Sequence, residues 1–234
     1  MSLRVVLVRP RNPLNIGAAA RAMANFGFED LVVVDPYEPI WRETVSAVGA
    51  EDLVLNARAV KTLREAVGDC QLVLGTTAVR ERQMKRTVVR LPDLKNYLRK
   101  QAGGKRLKIA VLFGPEKTGL GKQDLEHCSA ALTIPTSPKQ PSMNLSHAVA
   151  LCCYEFSREN MDAGPMNSGL ATSDECERLL KQVLELFDAA GYLSGDSPQQ
   201  KAQKIRRSFL QWKLQSTDVR WLHGILRALI NKLK

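Results

Sequence analysis

Five short apolar runs constrain this chain more than anything else in it. Leu3–Val8, Leu31–Val34, Leu72–Thr76, Ile109–Phe113 and Ala131–Ile134 are each four to six residues long. They are too short for helices and lack the alternation of a half-exposed strand, so they read as strands buried on both faces. Between them the apolar spacing is helical, over Ile16–Phe26, Trp41–Val48, Ala57–Val67, Leu91–Arg99 and Asp124–Cys128. A long apolar helix is expected over Leu145–Glu159. Strands alternating with helices predict an α/β fold, a parallel sheet flanked by helices. Such sheets bind ligands beyond the carboxyl ends of their strands, so the loops that follow the strands are where chemistry is sought.

The pattern changes after residue 160. Residues 161–172, MDAGPMNSGLAT, have the Gly, Pro, Ser and Asn content of a linker. Thr172-Ser173-Asp174-Glu175 then supplies helix-starting residues, and helix is expected to about Ala190. Pro198–Leu214 and Asp218–Leu233 form two further helical stretches. The expected organisation is a domain over 1–160, a linker over 161–172 and a small all-helical C-terminal extension over 173–234. So small a unit is below a comfortably self-sufficient core, so it should pack on the main domain or on a second subunit.

Charge narrows the partners. The formal net charge is +10, but it is unevenly spread. Residues 1–79 carry −1, 80–108 carry +9, 109–196 carry −6 and 197–234 carry +8. Two basic blocks on a neutral-to-acidic body point to a polyanion held at two places. The five cysteines include no CxxC pair and the three histidines are scattered, so no metal is expected. Cys152 and Cys153 read as small core residues. No apolar run reaches membrane-spanning length and the N-terminus lacks a signal-peptide pattern, so the expectation is a cytoplasmic protein with no membrane association.

Two nucleotide-binding patterns are excluded by spacing. In GPEKTGLGK, Leu120 stands where a P-loop needs lysine, and Gln123 follows Lys122 in place of Ser or Thr. NIGAAAR after the first strand lacks the GxGxxG dinucleotide fingerprint. The remaining strand-end loops are rich in Gly, Pro, Ser, Thr, Asn and Arg. They offer backbone groups to a small ligand and arginines to an anion.

Three segments in order carry a resemblance. They are Asn15-x-Gly17-x-x-x-Arg21 after the first strand, LFGPEKTGL with Gly114, Glu116, Gly119 and Leu120, and IPTSPKQPSMNLSHAVAL with Ile134, Pro135, Ser142, Asn144, Leu145 and Ser146. Together they resemble the three motifs of the SPOUT superfamily, in its SpoU/TrmH group of RNA ribose methyltransferases. The match covers about residues 3–160. The tail, with RRSF and WLHGILRALI, is similar to that of TrmJ-type tRNA methyltransferases.

The resemblance implies a C-terminal deep trefoil knot and a homodimer. It implies S-adenosylmethionine as cofactor, held among Thr76, Thr77, Ala78, Gly114, Glu116, Ile134, Ser142, Met143, Asn144 and Leu145. It implies a tRNA partner and methyl transfer to a ribose 2′-oxygen, at a pyrimidine that is the first nucleotide of the anticodon loop. Arg21, Ser142 and Asn144 are the implied catalytic residues. Arg21 would act from one subunit at its neighbour's cofactor; as arginine is almost always protonated, it is expected to hold a phosphate beside the target ribose, with a phosphate oxygen or a deprotonated Arg21 taking the proton. Glu116 is expected to be structural. RNA contacts are expected from Asn15, Arg80, Arg82, Lys85, Arg86, Lys204 and Arg207. The acidic stretch would receive the cationic methyl donor, and the basic blocks the RNA. A ribosomal RNA substrate and a noncatalytic RNA-binding protein are the alternatives.

Overall fold

The computed structural model describes residues 2–37, 41–42, 44–78, 86–158, 169–194, 197–209 and 211–233. Its strands are β1 (Ser2–Val8), β2 (Asp30–Val34), β3 (Arg58–Val60), β4 (Leu72–Thr76), β5 (Val88–Arg90), β6 (Lys108–Phe113) and β7 (Ala130–Thr133). They form one seven-stranded sheet in the order β3-β2-β1-β6-β4-β7-β5, with every registered pair parallel. The helices are α1 (Pro13–Asn25), α2 (Glu51–Leu55), α3 (Leu63–Val67), α4 (Leu94–Ala102), α5 (Lys122–Glu126), α6 (Leu145–Ser157), α7 (Ser173–Ala189), α8 (Pro198–Phe209) and α9 (Ser216–Leu233).

The two faces of the sheet make two cores. Alternate residues of β1 serve each: Leu3, Val5 and Leu7 pack with Ile16, Met23 and Val149 of α1 and α6. Val6 and Val8 pack with Leu63, Ala66 and Val67 of α3. Burying each such side chain contributes roughly 1.5–3 kcal/mol, so a continuous apolar strand is stable only between two helical layers. Cys152 and Cys153 lie in the first core, as expected.

Four local expectations need correction. No helix forms among the described residues of 41–48; Trp41 turns into the core and the Ser46 hydroxyl donates to the Leu14 carbonyl at 2.6 Å. Ala57–Val67 is not one helix but β3, which pairs with β2, followed by α3 capped by Thr62. The basic stretch before Leu91 contains a strand, β5, at the sheet edge. The helix expected to reach Leu214 ends at Phe209. Edge strands of three residues carry too little pattern to stand out from a neighbouring helix signal.

The three C-terminal helices have their own small core of Leu179, Leu180, Phe209 and Val219, and they are tied to the sheet. The first amides of α7, on Ser173 and Asp174, donate to the carbonyls of Cys70 and Gly68 at 2.8 and 3.0 Å. These are groups that a free helix start would leave unpaired. Arg64 adds an ion pair to Asp174 at 2.6 Å. No helix among the described residues is long and apolar enough to cross a membrane.

At the amino ends of the central strands sits a buried arginine. Arg4 of β1 is 3% exposed. Its guanidinium donates to Asp30 at 2.9 Å, to Asp69 at 2.5 Å and to the Ala66 carbonyl at 2.8 Å. Lys108 of β6 meets Asp69 at 2.6 Å. Burial alone would push the Asp69 carboxyl up, but hydrogen bonds from Arg4 and Lys108 hold it well below the usual carboxylate range. Asp69 therefore stabilises the fold above its unfolded pKa of about 4, and that contribution fades as pH falls toward its folded value. Arg4→Ala should cost about 1–3 kcal/mol in urea unfolding at pH 7, because it removes the buried partner of two part-exposed carboxylates that keep Lys108. The loss should shrink when the same measurement is made below about pH 4.

Candidate functional site

The loops after β1, β4, β6 and β7 gather at one end of the sheet. The loop after β1 begins at Arg9, whose φ of +47° puts a non-glycine residue in the left-handed region. Its guanidinium meets the buried Asp124 carboxylate of α5 at 2.6 Å. Asp124 also accepts from the Gly121 amide at 2.8 Å, so one carboxylate anchors the exits of both β1 and β6. Asn12 then caps α1, accepting from the Leu14 amide at 2.9 Å, with Pro13 in the first turn. The Asn-Pro pair in the sequence carries this signal.

Gly17 of α1 is needed for clearance. A Cβ there would lie 2.4 Å from Ser46 Oγ and 2.5 Å from Thr44 Oγ1. The loop after β2 thus lies directly on α1. Gly114, at the exit of β6, is more restricted still: a Cβ would lie 2.2 Å from the backbone of Gly119 and Leu120. The 114–120 loop closes on itself, with the Gly119 amide donating to the Pro115 carbonyl at 2.8 Å and Gly119 at φ +65°.

Glu116, at the tip of that loop, reaches across to the β1 exit. Its carboxylate accepts from the amides of Arg11 and Asn12, both at 3.3 Å, and from Asn15 Nδ2 at 2.9 Å. Asn15 Oδ1 in turn accepts from Asn144 Nδ2 at 3.4 Å. Asn144 Oδ1 accepts from the amide and hydroxyl of Ser146 at 2.9 and 2.8 Å, and so caps α6. One hydrogen-bonded chain thus joins the three sequence motifs. Burial would raise the Glu116 pKa. The donors, Asn15 first and then backbone amides that include those of Arg11 and Asn12, outweigh it and hold the carboxyl below its ordinary value.

The other expected site residues divide by position. The Thr76 hydroxyl donates to the Leu112 carbonyl at 2.8 Å, and the Thr77 amide to the Leu132 carbonyl at 3.0 Å, so both are bound to the sheet where β4 ends. Ala78 is exposed beside them. Ile134 is half-buried and Leu145 buried, while Ser142 and Met143 are exposed at the loop surface. Arg21 lies on the exposed side of α1, six residues beyond Asn15 and so about 9 Å further along the helix. It makes no hydrogen bond or ion pair among the described residues.

Of the expected RNA contacts, Arg80, Arg82 and Lys85 lie outside the described residues. Asn15 is occupied within the motif chain described above. Arg86 is half-buried and donates to the carbonyls of Leu125 and Cys128 at the end of α5. Its guanidinium is largely spent inside the protein. Burial, with the charge of Arg207 adding to it, lowers the Arg86 pKa. Arg206 donates to the Glu126 carbonyl at 3.2 Å and pairs with Glu177. The two basic blocks, distant in sequence, therefore converge where α8 meets the end of α5. Lys204 is exposed on the same helix. Among the described residues no cluster suits a metal ion.

The family model described as the SpoU rRNA Methylase family matches residues 2–154. The tRNA (cytidine/uridine-2′-O-)-methyltransferase TrmJ of Salmonella typhimurium is 31% identical over 236 residues, covering 97% of this chain and 96% of that protein. The crystal structure of TrmJ from Z. mobilis ZM4 superposes with a TM-score of 0.83 at 31% identity, covering 98% of this chain and 99% of that one. The AdoMet-bound rRNA methyltransferase from Sinorhizobium meliloti shares the fold at 21% identity and a TM-score of 0.52, over 69% of this chain and 57% of that one.

Glu116→Gln should separate charge from shape in the motif chain. With the folded pKa depressed, the wild-type advantage in melting temperature should be full above about pH 4.5 and should close as pH falls below that. A gap that stays constant down to pH 3 would show that the charge does not hold the loops.

Proposed function

Because the chain belongs to the SpoU rRNA Methylase family, we propose that it methylates a ribose 2′-hydroxyl of tRNA, with S-adenosylmethionine as methyl donor. The target is a pyrimidine, the first nucleotide of the anticodon loop. The observation that carries this reading is the Glu116–Asn15–Asn144 chain. It fixes three strand-end loops, two of them rich in the backbone groups and apolar edges that an adenosyl group needs. The likeness to tRNA methyltransferases over nearly the whole chain supports the substrate class.

The residues present fit the donor. Gly114 lets backbone approach where a side chain could not, and Ile134, Met143 and Leu145 supply an apolar edge for the adenine ring. Thr76, Thr77 and Ala78 would close the pocket from β4. When bound, S-adenosylmethionine supplies a methyl group already activated on a cationic sulfur. The protein has then to align the attacking oxygen and help remove its proton. Ser142 orients the ribose. Asn144 holds the loop while capping α6. Arg21 holds the phosphate next to the target ribose, and a phosphate oxygen takes the proton.

A second copy of the chain completes the site. Arg21 and Leu14 lie two turns apart on one exposed face of α1, and Leu14, Leu151 and Tyr154 of the packed α1–α6 pair are 49%, 38% and 50% exposed. A homodimer through this face buries those side chains and carries Arg21 to the partner's loops. Residues 1–160 form the catalytic domain with its trefoil knot, 161–172 the linker, of which 161–168 lie outside the described residues, and 173–234 the extension that serves RNA binding, dimerisation or both. Lys204 and Arg207, beside Arg86 and with Arg80, Arg82 and Lys85, grip the RNA backbone.

Arg21→Ala should abolish methyl transfer to bulk tRNA and leave methyl-donor affinity nearly unchanged. Mixing Arg21→Ala with Asn144→Ala chains should restore roughly a quarter of wild-type activity, since half the dimers regain one intact site. No recovery on mixing would place Arg21 in its own subunit's site. Labelled methyl appearing only in ribosomal RNA would overturn the tRNA assignment. Affinity for tRNA should also fall steeply between 50 and 200 mM salt, by about tenfold or more. The reversal Arg207→Glu should flatten that slope.

A further inference from the structure

A cavity of about 360 Å³ lies at the opposite end of the sheet from the motif loops. Its floor is a row of residues that immediately precede four neighbouring strands: Leu107 before β6, Gln71 before β4, Ser129 before β7 and Thr87 before β5. Tyr97 and Lys100 of α4 form one wall. The turn after α8, with Trp212 and Leu214, forms the other, and the start of α7 closes it through Ala171. The cavity thus exists because the C-terminal helices dock on the sheet. Its walls are held together: the Ala171 amide donates to the Leu214 carbonyl at 2.8 Å, and the Lys213 ammonium donates to the Lys100 carbonyl.

The lining has a definite chemistry. No aspartate or glutamate is among the lining residues, while Lys100, Lys213 and His127 are. Two aromatic rings flank the space, and Trp212 is braced by Phe209 at 5.2 Å between ring centroids. The hydroxyl of Tyr97 and the ring of His127 have no hydrogen-bond partner among the described residues. Burial first, and then the charge of Arg206, lower the His127 pKa, so its ring is a neutral donor and acceptor at pH 7. Gln101 and Gln211 add amides of the kind that pair with base edges. The volume is that of a small-ligand site, which spans about 300–1,000 Å³.

Its surroundings fit the same ligand. Thr87 and His127 on the lining adjoin Arg86 and Glu126, where the two basic blocks meet. We propose that this junction cavity receives one nucleotide, its base between Tyr97 and Trp212 and its phosphate toward Lys100, and that the nucleotide is an unstacked residue of the bound RNA distinct from the methylated one. Only the source of the nucleotide rests on the RNA-substrate reading; the cavity's chemistry does not.

The test uses the full chain and two ligands. Cytidine and adenosine monophosphates, with inorganic phosphate as control, are titrated by calorimetry, and tRNA binding is measured in parallel. The variants are Trp212→Ala, at a 58% exposed position, and Lys100→Ser, at an exposed one. Melting temperature and S-adenosylmethionine affinity serve as fold controls. Monophosphates should bind where phosphate alone does not. Trp212→Ala should weaken both the monophosphate and tRNA by about tenfold, the usual effect of losing one base–aromatic stack. Weakened monophosphate with unchanged tRNA would overturn the RNA source and leave a free nucleotide as ligand. Monophosphate binding without any tRNA binding by the wild type would sink the RNA-substrate reading and keep the pocket. Monophosphates that do not bind, together with tRNA affinity unchanged in both variants, would overturn the proposal.

Discussion

A carboxylate with no cation partner among the described residues organises the upper end of this molecule. Glu116 accepts two backbone amides and the Asn15 amide, all from the first turn region of the chain. The β6 loop is thereby tied to the β1 exit, and the β7 loop to Asn15. Two of the residues involved have a second local duty, Asn144 as a helix cap and Asn12 as another. Loops from three non-consecutive strands are thereby fixed by hydrogen bonds rather than by packing. That suits a surface that must stay open to a ligand, because apolar packing would fill the same space.

The opposite end of the sheet follows a different logic. There the ion network around Arg4, the docking of α7 on Gly68 and Cys70, and the meeting of Arg86 with Arg206 and Arg207 bring charge together. Carboxylates satisfy Arg4 almost completely, so that cluster is structural. The cluster beside α8 keeps more cations than anions and can still attract a polyanion. The net charge of +10 therefore has a location that its sequence distribution alone does not give.

Much of this was legible in the residues, for physical reasons that differ by element. The strands β1, β2, β4, β6 and β7 are apolar on both faces, and no other element has that pattern. The caps of α1 and α6 follow from Asn-Pro and from Asn before an apolar run. The structural role expected of Glu116 is met by loop amides and Asn15, partners that only the fold brings to it. What sequence could not supply was pairing at a distance. β3 and β5 exist because β2 and β7 lie beside them. Arg86 reads as a free phosphate contact until α5 presents its last carbonyls. Gly17 fits a motif in sequence, but its cause is the loop after β2 lying against it.

The docking of α7 at the amino ends of the strands fixes a length. The motif loops leave the carboxyl ends, and β4 between them is five residues long, about 17 Å of rigid strand. A polymer touching both ends has to span that interval, whatever its bases. For a polymer that engaged both ends, the length of the sheet would set the shortest span it could have.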